Sequence, residues 1–184
     1  LVSRTSTPIA MVDASCVVPM QMSPKSHQRA FEFRKATHGL YAERIDQEYC
    51  EQQVDCSFYQ GPLPFKSLNL QDICLATLIS KCRIDHSIAP VADTPGGTRA
   101  GYARWNKFRM NGLNHYEDER NNASNRDGVS RMSAYLHFGM VSPFRIVRQA
   151  SAAGAEKYLD KLLIWRELSF NFCFHNLDVI DSLE

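Results

Sequence analysis

Residues 128–148, with the sequence GVSRMSAYLHFGMVSPFRIVR, decide more about this chain than any other stretch. The segment begins with a small, polar turn, and a short apolar helix follows it. Gly139 stands at the position where this helix is expected to end. Ser142 and Pro143 are residue types that begin a new helix, because serine caps free N–H groups and proline fits the first helical position. The segment therefore predicts a turn followed by two consecutive helices.

The turn at the start of this segment has the composition of an anion site. Gly128 can adopt backbone angles that a side chain forbids. Ser130 and Ser133 place hydroxyl groups beside the N–H groups that a new helix leaves unpaired, and Arg131 adds a cation. Such a helix entrance suits a phosphate or a pyrophosphate. Taken alone, however, a turn of this kind is more often an ordinary capped helix.

Composition and charge limit the functions that are open to the chain. Its 184 residues, of which 44% are apolar, can bury one sizeable core or two small ones. With 21 basic and 20 acidic residues, the formal net charge is +1, so any nucleic-acid surface has to be a local patch. No run of 18 apolar residues occurs, so no membrane span is predicted.

The six cysteines do not have the spacing of a metal site. The four between positions 50 and 82 fit no common zinc template, so no metal is predicted. Cys16 and Cys173 lie in apolar runs, where a free thiol behaves as a small hydrophobic group. We therefore expect reduced, structural thiols in an intracellular protein.

The N-terminal third predicts part of an α/β domain. Residues 8–18 are β-branched and apolar between two prolines, which predicts a buried strand. Ser23 and Pro24 favour the start of a helix that continues to about Glu48. A strand and a helix are half of a βαβ unit, whose other strands must come from elsewhere. We assign residues 1–60 to this α/β part.

Prolines and glycines mark the boundary to a helical part. Gly61-Pro62-Leu63-Pro64 enforces extended geometry and opens a linker region over residues 61–98, in which residues 68–82 regain helical spacing. Residues 99–184 are expected to be all helical, without a strand of five or more residues after Gly101. The helices are predicted at about 99–116, 133–138, 143–153 and 155–175.

The last of these helices carries the second group of candidate residues. Lys161 and Trp165 are spaced to share one face of an α-helix, with Arg166 about 100° round from Trp165. A lone tryptophan on an apolar helix is most often a core residue, although an indole can also stack on a flipped nucleobase. Glu167 is expected to pair with a cation or to cap nearby backbone.

Four segments, in the same order along the chain, resemble the photolyase/cryptochrome family, and in particular class II photolyases and their photolyase-like relatives. These segments are AMVDASCVVP at residues 10–19, YEDERN at 116–121, SRMSAYLHFG at 130–139 and LLIWREL at 162–168. The resemblance implies the C-terminal part of an α/β domain followed by the N-terminal part of an all-α FAD-binding domain. The family holds the isoalloxazine mostly with later helices, so we expect the chain as given to be an incomplete, inactive fragment.

The resemblance also implies roles for single residues. In the family, the serine-rich turn holds the FAD pyrophosphate and the tyrosine at the place of Tyr116 packs at its phosphate–ribose side. Trp165 stands where the family's tryptophan contacts the extruded pyrimidine dimer and is the catalytic candidate. The implied FAD-binding residues are Tyr116, Ser130, Arg131, Met132, Ser133 and Arg166, and the implied DNA-binding pair is Lys161 and Trp165.

Lys161 departs from the pattern of the repair enzymes. Enzymes of the class II type carry a glutamate four residues before the tryptophan, and it hydrogen-bonds the damaged base. A protonated lysine cannot accept that hydrogen bond and attracts phosphate instead. The implied function is light-driven repair of cyclobutane pyrimidine dimers in DNA with FAD. The alternatives are a cryptochrome-like blue-light receptor or flavin-binding protein without repair, and a truncated product with at most a structural role.

By the same resemblance, the expected partner is DNA that contains pyrimidine dimers. We expect a monomer that acts in an intracellular, DNA-containing compartment and does not bind membranes.

Overall fold

The computed structural model describes residues 12–47, 60–67, 69 and 71–182, and these residues are mostly helical. The α-helices are α1 (Ala30–Ile45), α2 (Leu75–Ile79), α3 (Thr98–Asn111), α4 (Tyr116–Glu119), α5 (Ser133–His137), α6 (Pro143–Ala152), α7 (Glu156–Leu159), α8 (Arg166–His175) and α9 (Leu177–Asp181). Short 3-10 turns occur at Met20–Met22 and Leu113–His115. Between α7 and α8 the residues Asp160–Trp165 form a π-helical stretch, called the wide turn below.

The predicted helical character of the second half is confirmed, but the helix predicted over about 99–116 ends at Asn111, and a 3-10 turn follows it. Helix α5 ends at His137, Gly139 has a φ of +64°, and α6 begins at Pro143 with Ser142 as its N-cap. No strand is present in the described part of the chain, and no helix there is long and apolar enough to cross a membrane.

The predicted strand over residues 8–18 is wrong from residue 12 onward, and residues 8–11 lie outside the described part. Carboxylate side chains accept hydrogen bonds from the backbone N–H groups that, in a strand, would donate to a neighbouring strand. The Asp13 carboxylate accepts from Ser15 and Cys16 at 2.9 and 3.1 Å. The Glu167 carboxylate accepts from Val17 at 2.7 Å. The segment is therefore an irregular loop rather than a strand.

The first helix starts later than predicted. Helix α1 begins at Ala30 rather than at Ser23. The side chain of Asn171 accepts a hydrogen bond from the His27 N–H at 2.9 Å and donates to Ser23 Oγ and Lys25 O at 3.0 and 3.1 Å. Because these bonds hold the backbone of this stretch against α8, it cannot wind into the helix.

The chain divides into two compact units. One comprises Leu1–Glu48 and Gly96–Glu184, and the other comprises Tyr49–Pro95. The second unit contains α2, which is a short helix as the apolar spacing within residues 68–82 predicted. The division into an α/β part (1–60), a linker region (61–98) and a helical part (99–184) stays a prediction.

The first unit has one apolar core, to which the N-terminal loop and the later helices both contribute. Val17, Phe33, Trp105 and Ile146 are fully buried members of it. At Gly101 a Cβ atom would lie 2.6 Å from Val141 Cγ1 and 2.9 Å from Tyr135 Cδ1. The missing side chain therefore lets α3 approach α5 and Val141 closely.

Candidate functional site

A cavity of about 360 Å³ lies beside the start of α5 and the wide turn. Its polar lining comes from Tyr116, Ser130, Ser133, Lys161, Arg166 and Ser169, and its apolar lining includes Met132, Leu136, Leu162 and Phe170. His137 and Tyr158 complete the wall. The described lining has hydroxyl groups and two cations but no carboxylate. Such a cavity favours an anionic ligand that also has an apolar part.

Tyr158 connects the serine-rich turn to the aromatic core by a hydrogen bond. Its hydroxyl group hydrogen-bonds Ser130 Oγ at 3.1 Å, and its ring packs against Trp105 and Tyr116 with centroid distances of 5.4 and 5.1 Å. Burial raises the pKa of Tyr158, so the group stays a neutral hydroxyl. Tyr158 was not predicted as a site residue, because its contact with Ser130 spans 28 residues and leaves no local signal.

The turn itself has an unusual backbone. Arg131 has a φ of +54°, in the left-handed region that residues with a side chain seldom adopt. Ser133 is the first residue of α5, as predicted, and Met132 before it is buried. Arg131 is not among the residues that line the cavity, whereas Ser130, Met132 and Ser133 are.

Arg166 reaches the cavity from the first turn of α8. Its Nη1 donates to the Ser15 carbonyl oxygen at 2.8 Å, and its guanidinium lies 4.7 Å from the centre of the Phe170 ring. Leu162 and Ser169 line the same cavity. Their spacings of four and three residues from Arg166 are those of one helix face, so this part of the wall could be predicted from the sequence.

The wide turn changes which side chains meet. The Arg166 N–H bonds the Lys161 carbonyl oxygen, a spacing of five residues instead of the four of an α-helix. Residues five apart on an α-helix are about 140° apart, which would place the two cations on different faces. With the wide turn, Lys161 and Arg166 line the same cavity. The helix predicted at about 155–175 is present from Glu156 to His175, but it is π-helical rather than α-helical over Asp160–Trp165.

Trp165 lies outside the cavity on the surface, with half of its area exposed. Its Nε1–H donates to Asp160 Oδ2 at 3.2 Å, and Lys161 Nζ lies 4.4 Å from the centre of its ring. Trp105, in contrast, is fully buried and donates to Gln149 Oε1. The core role that is usual for a tryptophan on an apolar helix thus belongs to Trp105 and not to Trp165.

Glu167 bonds backbone rather than ligand. It is 1% exposed, and its carboxylate accepts from the N–H groups of Val17 and Val18 at 2.7 and 3.4 Å. The Tyr41 hydroxyl lies 2.8 Å from Oε2. Glu167 therefore ties the N-terminal loop to α8, beside the Arg166 that lines the cavity.

Relatives of this chain share one name, and no protein-family model matches it. It is 27% identical over 184 residues to the deoxyribodipyrimidine photo-lyase of Potorous tridactylus. This match covers 96% of this chain and 33% of the relative. The enzyme of that name from Arabidopsis thaliana is 27% identical, with 95% and 37% covered. The one from Methanothermobacter thermautotrophicus is 37% identical over 82 residues, or 44% of this chain and 18% of the relative.

The chain spans about a third of the length of the two relatives that it matches along nearly its whole extent. The identities are modest, but the matched relatives are deoxyribodipyrimidine photo-lyases from a marsupial, a plant and an archaeon. These similarities confirm the predicted resemblance of the chain to the photolyase/cryptochrome family.

Proposed function

We propose that this chain is part of a photolyase-like flavoprotein whose cavity holds the pyrophosphate side of FAD. The observation that carries the proposal is the meeting of Ser130, Ser133, Lys161 and Arg166 around one cavity. These residues come from separate elements of a chain that resembles deoxyribodipyrimidine photo-lyases along almost all of its length.

The chemistry of the lining fits this cofactor. Hydroxyl and guanidinium donors suit phosphate oxygens, and the described lining contains no carboxylate that would repel them. The volume of about 360 Å³ is near the lower end for small-molecule sites, which suits one portion of a dinucleotide. FAD, when bound, would supply light absorption and electron transfer. The protein would bind and orient it through Arg166 and the serines.

The proposed activity of the whole protein is light-driven repair of cyclobutane pyrimidine dimers in DNA. Trp165 supports this activity because an exposed indole can stack on an extruded base. Lys161 favours the alternative, a flavin-binding protein of the cryptochrome type without repair. Its ammonium group lies over the Trp165 ring. An ammonium group donates hydrogen bonds but cannot accept one from a base N–H.

Replacement of Lys161 distinguishes dimer repair from flavin binding without repair. In the protein made from its full coding sequence, we expect Lys161→Glu to raise light-driven dimer splitting by on the order of 10-fold, since it restores an acceptor whose lack costs about 1–3 kcal/mol. The measurement is the rate of splitting per bound, reduced flavin, with a dark control. Normalising to bound flavin matters because Lys161 also lines the cavity.

Lys157→Glu is the matched control, since it makes the same charge change one turn earlier, at a residue that does not line this cavity. Equal repair by wild type and Lys161→Glu would show that another group supplies the acceptor. No splitting by either protein in the light would favour the alternative without repair.

A further inference from the structure

The indole of Trp165 lies on the surface, yet a hydrogen bond from its Nε1–H restrains the ring. Its Nε1–H donates to Asp160 Oδ2, a residue five positions earlier in the chain, at 3.2 Å. On an α-helix these two side chains would point about 140° apart. The hydrogen bond therefore depends on the wide turn, which begins at Asp160 and ends at Trp165. π-Helical turns of this kind are frequent at functional sites.

The acceptor is itself anchored by a distant helix. Arg34 of α1 donates from Nε and Nη2 to Asp160 Oδ1, at 3.2 and 2.5 Å. One carboxylate oxygen thus faces the guanidinium and the other faces the indole. Both N–H groups point at the same oxygen, so the charged guanidinium holds Oδ1 in place and leaves Oδ2 to the indole.

Lys161 covers one face of the same indole. Its Nζ lies 4.4 Å from the centre of the Trp165 ring and 3.8 Å from Asp160 Oδ2. An ammonium group in this position is attracted by the ring and occupies the space that a stacking ligand would need. Half of the Trp165 surface is nevertheless exposed.

We propose that Arg34 and Asp160 are positioning residues that hold Trp165 as a one-faced platform for a planar aromatic ligand of the nucleobase class. Lys161 closes the second face. A platform that is already fixed binds such a ligand more tightly than a freely rotating indole, since less conformational freedom is lost on stacking. The identity of the ligand rests on the proposed function, whereas the fixation of the indole stands on the contacts of this chain.

The fixation can be measured in the 184-residue chain without any ligand. The two tryptophans give two indole N–H signals in a ¹⁵N NMR spectrum, and Trp165→Phe assigns them. We expect Arg34→Gln and Asp160→Ala to lower the heteronuclear NOE of the Trp165 indole and to speed its N–H exchange several-fold. The signal of buried Trp105 stays unchanged and serves as the internal control.

Lys35→Gln is the matched control variant, because it removes one positive charge from the exposed neighbour of Arg34 on α1. The role in stacking is measured by titrating the same proteins with single-stranded oligothymidylate. Asp160→Ala and Arg34→Gln are expected to weaken binding by about 3- to 10-fold, the range for one immobilised side chain, and Lys35→Gln by much less.

An equally rigid Trp165 indole in Arg34→Gln and Asp160→Ala would overturn the proposed fixation. A loosened indole with unchanged affinity for the oligonucleotide would overturn its role in stacking. If the wild-type chain does not bind the oligonucleotide and the indole is loosened as expected, the fixation is supported and the proposed DNA partner fails.

Discussion

At the scale of single residues, Glu167 places an ionisable group in the core. Burial raises its pKa to about 7, while the N–H groups of Val17 and Val18 and the Tyr41 hydroxyl act in the opposite direction. The protonated carboxyl is therefore favoured more in the folded chain than in the unfolded chain. The stability that this preference contributes is full below the usual pKa of 4.5 and is lost as the pH rises through 7.

We expect the free energy of unfolding of the wild-type chain to fall by up to roughly 3 kcal/mol between pH 4.5 and pH 7.5, relative to Glu167→Gln. The glutamine has the same shape and does not titrate, so it removes this dependence. Urea unfolding of both proteins across the pH range is the measurement. Parallel stability curves would contradict the raised pKa of Glu167.

Residue spacing alone could predict only neighbours that are close together in sequence, whereas the family resemblance also predicted that Ser130, Ser133 and Arg166 share one site. Ser130 and Ser133 flank one turn, and Leu162 and Arg166 share a helix face. Arg34, in contrast, contacts Asp160 across 126 residues, and the sequence contains no periodicity that pairs them. Contacts of this kind depend on how the helices pack, which a single sequence does not display.

At the scale of elements, the two glycines within long helices have different environments. A Cβ atom at Gly101 in α3 would lie 2.6 Å from Val141 Cγ1, whereas a Cβ atom at Gly39 in α1 would have no neighbour within 4 Å. Both substitutions to alanine gain the same helix propensity. Only the first has to push neighbouring side chains apart.

We therefore expect Gly101→Ala to lower the free energy of unfolding by about 1–3 kcal/mol, as is typical of overpacking. Gly39→Ala should leave it unchanged or raise it by up to about 1 kcal/mol. Thermal or urea unfolding of the two variants and the wild type provides the test. Similar effects of both substitutions would mean that α3 does not approach α5 and Val141 as closely as described.

The bounds of α5 and α6 followed from caps and breakers, whereas the start of α1 and the wide turn did not. Gly139, Ser142 and Pro143 ended and started α5 and α6 where the sequence predicts, because their effects on the backbone are local. Residues 158–166 contain no proline or glycine and keep an apolar spacing near 3.6, so they predict an ordinary α-helix. The π-helical stretch there has no such local signal, and the contact from Arg34 of α1 to Asp160 at its start has none either.

At the scale of the whole molecule, the N-terminal segment behaves as part of the helical unit. Its loop donates backbone N–H groups to Glu167, and its Ser15 carbonyl accepts from Arg166. The apolar, β-branched composition of this segment predicted burial, which holds for Cys16, Val17 and Val18 but not for Val12, whose side chain is exposed. It predicted a strand wrongly, since composition cannot say whether a partner strand or a buried carboxylate will take the N–H groups.

The central claim is that the cavity binds the phosphates of a flavin dinucleotide, and equilibrium binding of FAD and riboflavin tests it most directly. The protein made from the full coding sequence is compared with Arg166→Gln and Arg148→Gln. Both arginines donate to a backbone carbonyl oxygen at 2.8 Å, but only Arg166 lines the cavity. Arg148→Gln thus controls for the loss of charge and of one structural hydrogen bond.

We expect Arg166→Gln to weaken FAD binding by about 10- to 100-fold, since hydrogen bonds to charged groups contribute about 1.5–3 kcal/mol. Riboflavin, which has no phosphate, should bind equally to all three proteins, and Arg148→Gln should bind FAD as the wild type does. Equal affinity of Arg166→Gln and Arg148→Gln for FAD would contradict the assignment of the cavity to the flavin phosphates.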